Sequence, residues 1–174
     1  DIIEAMKAPL PPNEDARLAA LRQLQLLDSP AEQAFDDIVL VASEICGVPI
    51  SLVSLIDSDR QWFKARIGLD DRETPRDSAF CAHAILSDGI FEIPDARLDP
   101  RTADNPLVLG GPLIRFYAGI PLKTENGHSL GTLCVIDRVP RTLTPMQRSC
   151  LLALGRQVQF LMAQRKRLSE LTEA

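Results

Sequence analysis

A cysteine beside a histidine can act as a nucleophile and its base, so Cys81 and His83 are the first residues to weigh. They stand two apart in SAFCAHAIL (78–86), a segment with a helical pattern. On a helix that spacing places them on different faces, which argues against a catalytic pair. A metal site would need further ligands nearby, and the other histidine, His128, falls at a hairpin turn. Cys81 reads as a small core residue, and His83 as a pocket wall or hydrogen-bonded structural residue. Arg115 is the next candidate, because it interrupts an apolar strand beside Phe116 and Tyr117. Turned into a pocket, its guanidinium would fork onto a carboxylate or phosphate. Turned the other way, it pairs with Asp95, Asp99 or Asp104 and pins a long loop. The expense of burying an unpaired guanidinium favours the second reading. Trp62 and Phe63 are neighbours on a strand, so one faces in and the other out, and either can stack on a ligand. Gly110-Gly111 precedes Pro112 with no lysine or helix following, which makes it a turn and not a phosphate loop. Cys134 falls mid-strand and reads as inert.

These residues need a scaffold. Pro9, Pro11 and Pro12 mark residues 1–12 as a tail or linker. Asn13 can cap a helix through about Leu27, with Leu18, Leu21 and Leu24 on one stripe. Ser29, Pro30 and Glu32 form a capping-box pattern for a second helix, which buries Phe35, Ile38, Val39, Ala42, Ile45 and Cys46 and ends at Gly47. ISLVSLI (50–56) and WFKARI (62–67) read as a hairpin. A polar stretch (68–77) leads to the 78–86 helix and a short strand at 90–93. Residues 95–113 form the longest irregular stretch, a length typical of a lid or binding loop, with a short helix around Asn105 to Leu109. Residues 114–123 and 129–137 make a second hairpin through Asn126-Gly127. Thr144, Pro145 and Gln147 repeat the capping pattern before a long helix. Its Leu151, Leu154, Val158, Leu161 and Leu168 follow a heptad seam, with Arg165 at the missing apolar step. Arg165, Lys166 and Arg167 read as a solvated helix end. The expected fold is α/β (α+β): an antiparallel sheet, the terminal helices on one face and a pocket under the middle helix and long loop on the other.

The chain has 174 residues, 45% of them hydrophobic and 25% charged, which suits one globular domain. A net charge of −5 argues against non-specific nucleic-acid binding, which needs a basic face. The four cysteines (Cys46, Cys81, Cys134, Cys150) include no CxxC pair. Reduced thiols in a cytoplasmic protein are therefore expected, without a metal centre. Neither a signal peptide nor an apolar run of about 18 residues is present, so no membrane contact is expected. The chain begins at Asp1 without methionine, as expected of a piece of a longer protein.

With the elements in this order, several segments resemble a known family. VSLIDSDRQWFKARIGL (53–69), SAFCAHAIL (78–86), DARLDPRTADNPLV (95–108), IRFYAGIPL (114–122) and GTLCVIDRVPRTLT (131–144) are similar to the GAF domains of bacterial sensor histidine kinases and diguanylate cyclases. The resemblance covers residues 13–163. It implies a sheet of about six strands, terminal helices that dimerise, a small-molecule pocket, and a signal passed through the C-terminal helix to an output domain. Residues 164–174 would then start a signalling helix. Bilin-binding members carry a cysteine followed directly by histidine, whereas Ala82 separates Cys81 from His83 here. Free methionine sulfoxide reductases of the family carry their catalytic cysteine in the loop before the second hairpin, and residues 95–113 hold none. The cyclic-nucleotide signature is also missing, with Asn105 followed by Pro106.

The leading expectation is a non-enzymatic sensory domain with an unknown ligand and no assigned cofactor. Its ligand site is expected at Trp62, Phe80, Cys81, His83, Asp95, Asn105, Arg115 and Tyr117. Homodimerisation is expected through Leu151, Leu154, Val158 and Leu161. The alternatives are a ligand-free dimerisation module, and a thiol redox sensor or methionine-sulfoxide-reductase-like enzyme using Cys81 and Cys134.

Overall fold

The structure is a computed structural model and describes residues 7–173. The tail expected at 1–12 therefore lies partly outside the described residues; Ala8–Pro12 forms no helix or strand. The elements run α1 (Glu14–Gln23), α2 (Gln33–Cys46), β1 (Ile50–Ile56), β2 (Arg60–Ile67), β3 (Glu73–Pro75), a 3-10 turn (Arg76–Ser78), α3 (Phe80–Ala84), β4 (Phe91–Ile93), α4 (Pro106–Leu109), β5 (Phe116–Lys123), β6 (Ser129–Asp137) and α5 (Pro145–Glu173). The six strands form one antiparallel sheet in the order β3-β2-β1-β6-β5-β4.

Strand alternation divides the core into two layers. In β1, Val53 and Leu55 face the layer beneath α1, α2 and α5. Ile50, Leu52 and Ile56 face the opposite layer, roofed by α3, α4 and the long loop. Both faces are buried, which is why ISLVSLI carries no polar stripe beyond its two serines. Each fully buried Leu, Ile or Phe stabilises the fold by roughly 1.5–3 kcal/mol.

The capping box foreseen at Ser29 is not formed, and α2 starts at Gln33 instead. The cause is Lys64, whose side chain is fully buried. Its ammonium donates to Ser29 Oγ (2.8 Å) and Pro30 O (2.6 Å) and pairs with Glu32 (2.5 Å). A buried ammonium must find acceptors, and residues 29–32 supply them by staying out of the helix. At Thr144 the same pattern forms in full: Thr144 N–H donates to Gln147 Oε1 and Gln147 N–H to Thr144 Oγ1. Helix α1 stops at Gln23, short of Leu27, and the following turns carry Leu24 and Leu26 into the core. Strand β3 lies within the stretch read as polar loop and joins the sheet edge through Gln61 and Thr74.

The heptad seam of α5 faces the chain's own sheet from Leu151 to Leu161, whereas Leu168 is exposed. Leu151 and Val158 are fully buried, and Leu154 and Leu161 pack partly buried against the same core. Arg165 is not part of a solvated end: it donates to Leu24 O and Gln25 O and pairs with Glu32. The outer faces carry Leu40 and Val41 on α2 and Leu152 and Phe160 on α5, all exposed.

Candidate functional site

The layer under α3 and α4 holds a cavity of about 60 Å³, partly open to solvent. Its walls are mostly apolar, with Leu52 and Phe63 from the sheet, Phe80 from α3, Leu107 from α4, and Ile114. Polar groups reach it at two places. Gln61, Asp71 and Thr74 stand at the β2–β3 edge, and Cys81 and Tyr117 at the inner end. No Arg, Lys or His lines it among the described residues. Gln61 is 6% exposed; its Nε2 donates to Thr74 Oγ1 at 3.0 Å, and its Oε1 has no partner. A buried acceptor without a donor is destabilising.

Behind the cavity wall lies a buried polar cluster. Tyr117 Oη is 3.0 Å from Cys81 Sγ, and Thr132 Oγ1 donates to the same sulfur at 3.0 Å. Cys134, two residues on from Thr132 along β6, lies in the same buried layer as Cys81. Burial alone would raise the Cys81 thiol, but the polar groups of Cys134, Thr132, Tyr117 and Ser54 around it outweigh that and bring it down to about 7. Burial and the neighbouring Cys81 push Cys134 and Tyr117 up. Cys46, buried in the other layer without such donors, is pushed up to about 11.

Three of the expected site residues line the cavity: Phe80, Cys81 and Tyr117. Phe80 and Tyr117 also pack ring against ring at 5.4 Å. Trp62 does not line it. It lies in the layer beneath α2 and α5, and Phe63 takes the cavity face, as alternation requires. Asp95 is held by Arg97 at 2.7 Å in a local turn away from the wall. Arg115 neither enters the cavity nor forms an ion pair with Asp95, Asp99 or Asp104 among the described residues. Its guanidinium donates to Val108 O (2.9 Å) and Ile114 O (3.1 Å) and so fastens the loop by its backbone. Asn105 stands beside the cavity and positions its roof: Oδ1 accepts from Leu107 N (2.9 Å), capping α4, and Nδ2 donates to Ser78 O (3.1 Å). His83 is half-buried on α3, outside the wall. Gln61, Asp71 and Thr74 escape the sequence pattern because the polar composition of 68–77 hides β3. Gln61 shares its face with Phe63 by strand alternation, the one signal that pointed to it.

A second network ties α1 to the site's edge. Glu14 accepts from Arg17 at 2.8 Å and from Arg76 at 2.6 Å. Arg17, itself buried, also donates to Ile56 O at 2.8 Å. Burial alone would raise the Glu14 carboxyl, but the two guanidinium groups hold it down at about 2. No group of His, Cys, Asp and Glu among the described residues is placed to hold a metal. No helix among them is long and apolar enough to cross a membrane.

A family model for the GAF domain matches residues 30–160. The chain is 54% identical over 133 residues to the cyclic di-GMP phosphodiesterase PA2567 of Pseudomonas aeruginosa, a match over 76% of this chain and 23% of that protein. The chain thus spans less than a quarter of that relative's length. Among solved structures, the GAF domain of an Acinetobacter phosphoenolpyruvate-protein phosphotransferase matches with a TM-score of 0.64 at 19% identity, over 86% of this chain and 94% of that one. A free methionine-R-sulfoxide reductase from Neisseria meningitidis matches with a TM-score of 0.61 at 17% identity, over 86% and 89%. At those identities the structural likeness concerns the fold alone. Sheet order, layer arrangement and the matched family model together place the chain in the GAF domain family.

Proposed function

We propose that this GAF domain is the sensory part of a bacterial signalling protein and takes a compact, uncharged, largely apolar molecule with an N–H or O–H donor. The observation that carries this reading is an apolar cavity wall without cationic side chains, with Gln61, whose Oε1 has no hydrogen-bond partner, among its lining residues. An anionic ligand would be desolvated there without a counter-charge. The domain itself is regulatory and carries out no turnover. Binding would act on the roof of α3, α4 and the loop, and the 29-residue α5 would carry the change onward. The named activity of the Pseudomonas aeruginosa relative supports an output domain that turns over cyclic di-GMP, more than a histidine kinase. The domain acts as a homodimer through the outer faces of α2 and α5 and resides in the cytoplasm.

A thermal-shift titration with pyrrole against furan, which lacks the N–H donor, tests the ligand reading. Pyrrole should raise the melting temperature more than furan, and Gln61→Leu should remove the difference. Equal behaviour of the two probes in the unaltered domain would sink it. One observation favours a second reading, a ligand-free dimerisation module. The cavity, at about 60 Å³, has room for only a few waters. That reading predicts no saturable shift with any fragment.

A further inference from the structure

We infer that Cys81 and Cys134 form a peroxide-reactive pair behind the cavity, with Cys81 as the attacking thiol and Cys134 as the resolving one. This inference is independent of the ligand reading, because it needs only the cavity and the sulfur cluster.

Four observations converge on it. The two thiols come from different elements, α3 and the middle of β6, yet share one buried layer: Thr132, 3.0 Å from Cys81 Sγ, lies on the same face of β6 as Cys134, two residues on. Cys81 forms part of the cavity wall and Cys134 does not, which gives the two sulfurs different access. The cavity, at about 60 Å³, suits a molecule of two oxygen atoms. The surrounding hydroxyl groups suit an anionic or oxygenated sulfur: Thr132 and Tyr117 sit 3.0 Å from Cys81 Sγ. Ser54 Oγ is close to both sulfurs. It is buried and has no hydrogen-bond partner of good geometry. An oxygen added to Cys81 would give that hydroxyl its acceptor.

The chemistry balances with hydrogen peroxide as oxidant. The Cys81 thiolate attacks one peroxide oxygen, the O–O bond breaks, and the departing hydroxide takes a proton and leaves as water. Cys81 is then a sulfenic acid. The Cys134 sulfur attacks that sulfur, the S–S bond forms, the S–O bond breaks, and the oxygen leaves as a second water carrying the Cys134 proton. Two thiols lose two hydrogens and two electrons, and peroxide becomes two waters. The product would tie α3 to β6 and fix the cavity roof to the sheet, so oxidation would reach the same roof that ligand binding acts upon. Cys46 and Cys150 are internal controls. The Cys46 thiol is pushed up to about 11, so little thiolate exists there at neutral pH.

The test uses the reduced chain with all four cysteines, treated with equimolar hydrogen peroxide and mapped by mass spectrometry without reduction. The expected result is a mass loss of about 2 Da and a peptide linking Cys81 to Cys134. In Cys134→Ser the expected product is a Cys81 sulfenic acid that dimedone traps. In Cys81→Ser, peroxide consumption should fall by about tenfold or more. Oxidation confined to Cys46 or Cys150, with Cys81 and Cys134 recovered as thiols, would overturn the inference. The unaltered chain decides this alone, so failure of either variant to fold leaves the test intact.

Discussion

Tyr117 folds over Gly119 on the same strand: a Cβ added at Gly119 would lie 2.5 Å from Tyr117 Oη. Only glycine leaves that volume free, and the phenol uses it to reach Cys81 and Thr132. The small residue and the buried hydroxyl cluster are therefore one device, and the cavity's inner end depends on both.

Gly119→Ala should displace the phenol and strain β5. The expected destabilisation is about 1–3 kcal/mol, read as a lower urea midpoint at unchanged slope. Tyr117→Phe keeps the ring and removes only the hydroxyl, so it should cost about 1 kcal/mol. A Gly119→Ala midpoint equal to that of the unaltered chain would show that the phenol has space elsewhere.

Asn105 holds the roof from both sides, capping α4 and bonding Ser78 O. Asn105→Ala should lower stability by about 1–2 kcal/mol. Amide exchange should rise in 105–114 and 78–84 while the helix layer stays protected. Uniform loss of protection across both layers would argue against a separable roof.

Glu14 gives acid sensitivity a definite sign. Its folded pKa lies at about 2, below the ordinary 4.5. Its contribution is thus complete above pH 4.5 and lost as pH falls towards 2. Glu14→Gln should be less stable than the unaltered chain at pH 7, and the gap should close on acidification through that window. Urea midpoints of both proteins from pH 7 to pH 2 check it; a constant gap would contradict the linkage.

The dimer prediction separates the two faces of α5. Leu151→Ala should destabilise the fold by about 2–5 kcal/mol, because Leu151 lies in the core beneath the sheet. Leu152→Glu with Phe160→Glu should leave the fold intact and yield monomers, because those residues are exposed. Light scattering decides: an unchanged mass for the double variant would place the dimer contact elsewhere.

Much of this molecule was legible in its sequence, for reasons that can be named. Apolar, β-branched runs and Asn126-Gly127 mark the hairpins, and reciprocal capping at Thr144 and Gln147 marks the start of α5. Phe80, Cys81 and Tyr117 were legible as cavity residues because they sit in apolar runs next to the long loop. The errors came from long-range partners that local pattern does not contain. Lys64 drew residues 29–32 out of a helix, and Val108 O took the guanidinium that nearby aspartates were expected to hold. Of those aspartates, Asp95 and Asp99 are bound by Arg97 and Arg101, two residues on. The heptad spacing of α5 was real, but periodicity cannot tell a partner helix from the chain's own sheet. Gln61 was hidden because its strand partner, β3, is three residues long.

The most direct measurement is a titration of the methyl-labelled domain, read at Leu52, Ile114 and Ile136, with pyrrole as the neutral donor-bearing probe and cyclic di-GMP as the anionic one. The account predicts saturable shifts of these cavity methyl groups with pyrrole and none with cyclic di-GMP. Saturable shifts with cyclic di-GMP, or none with pyrrole, would contradict it.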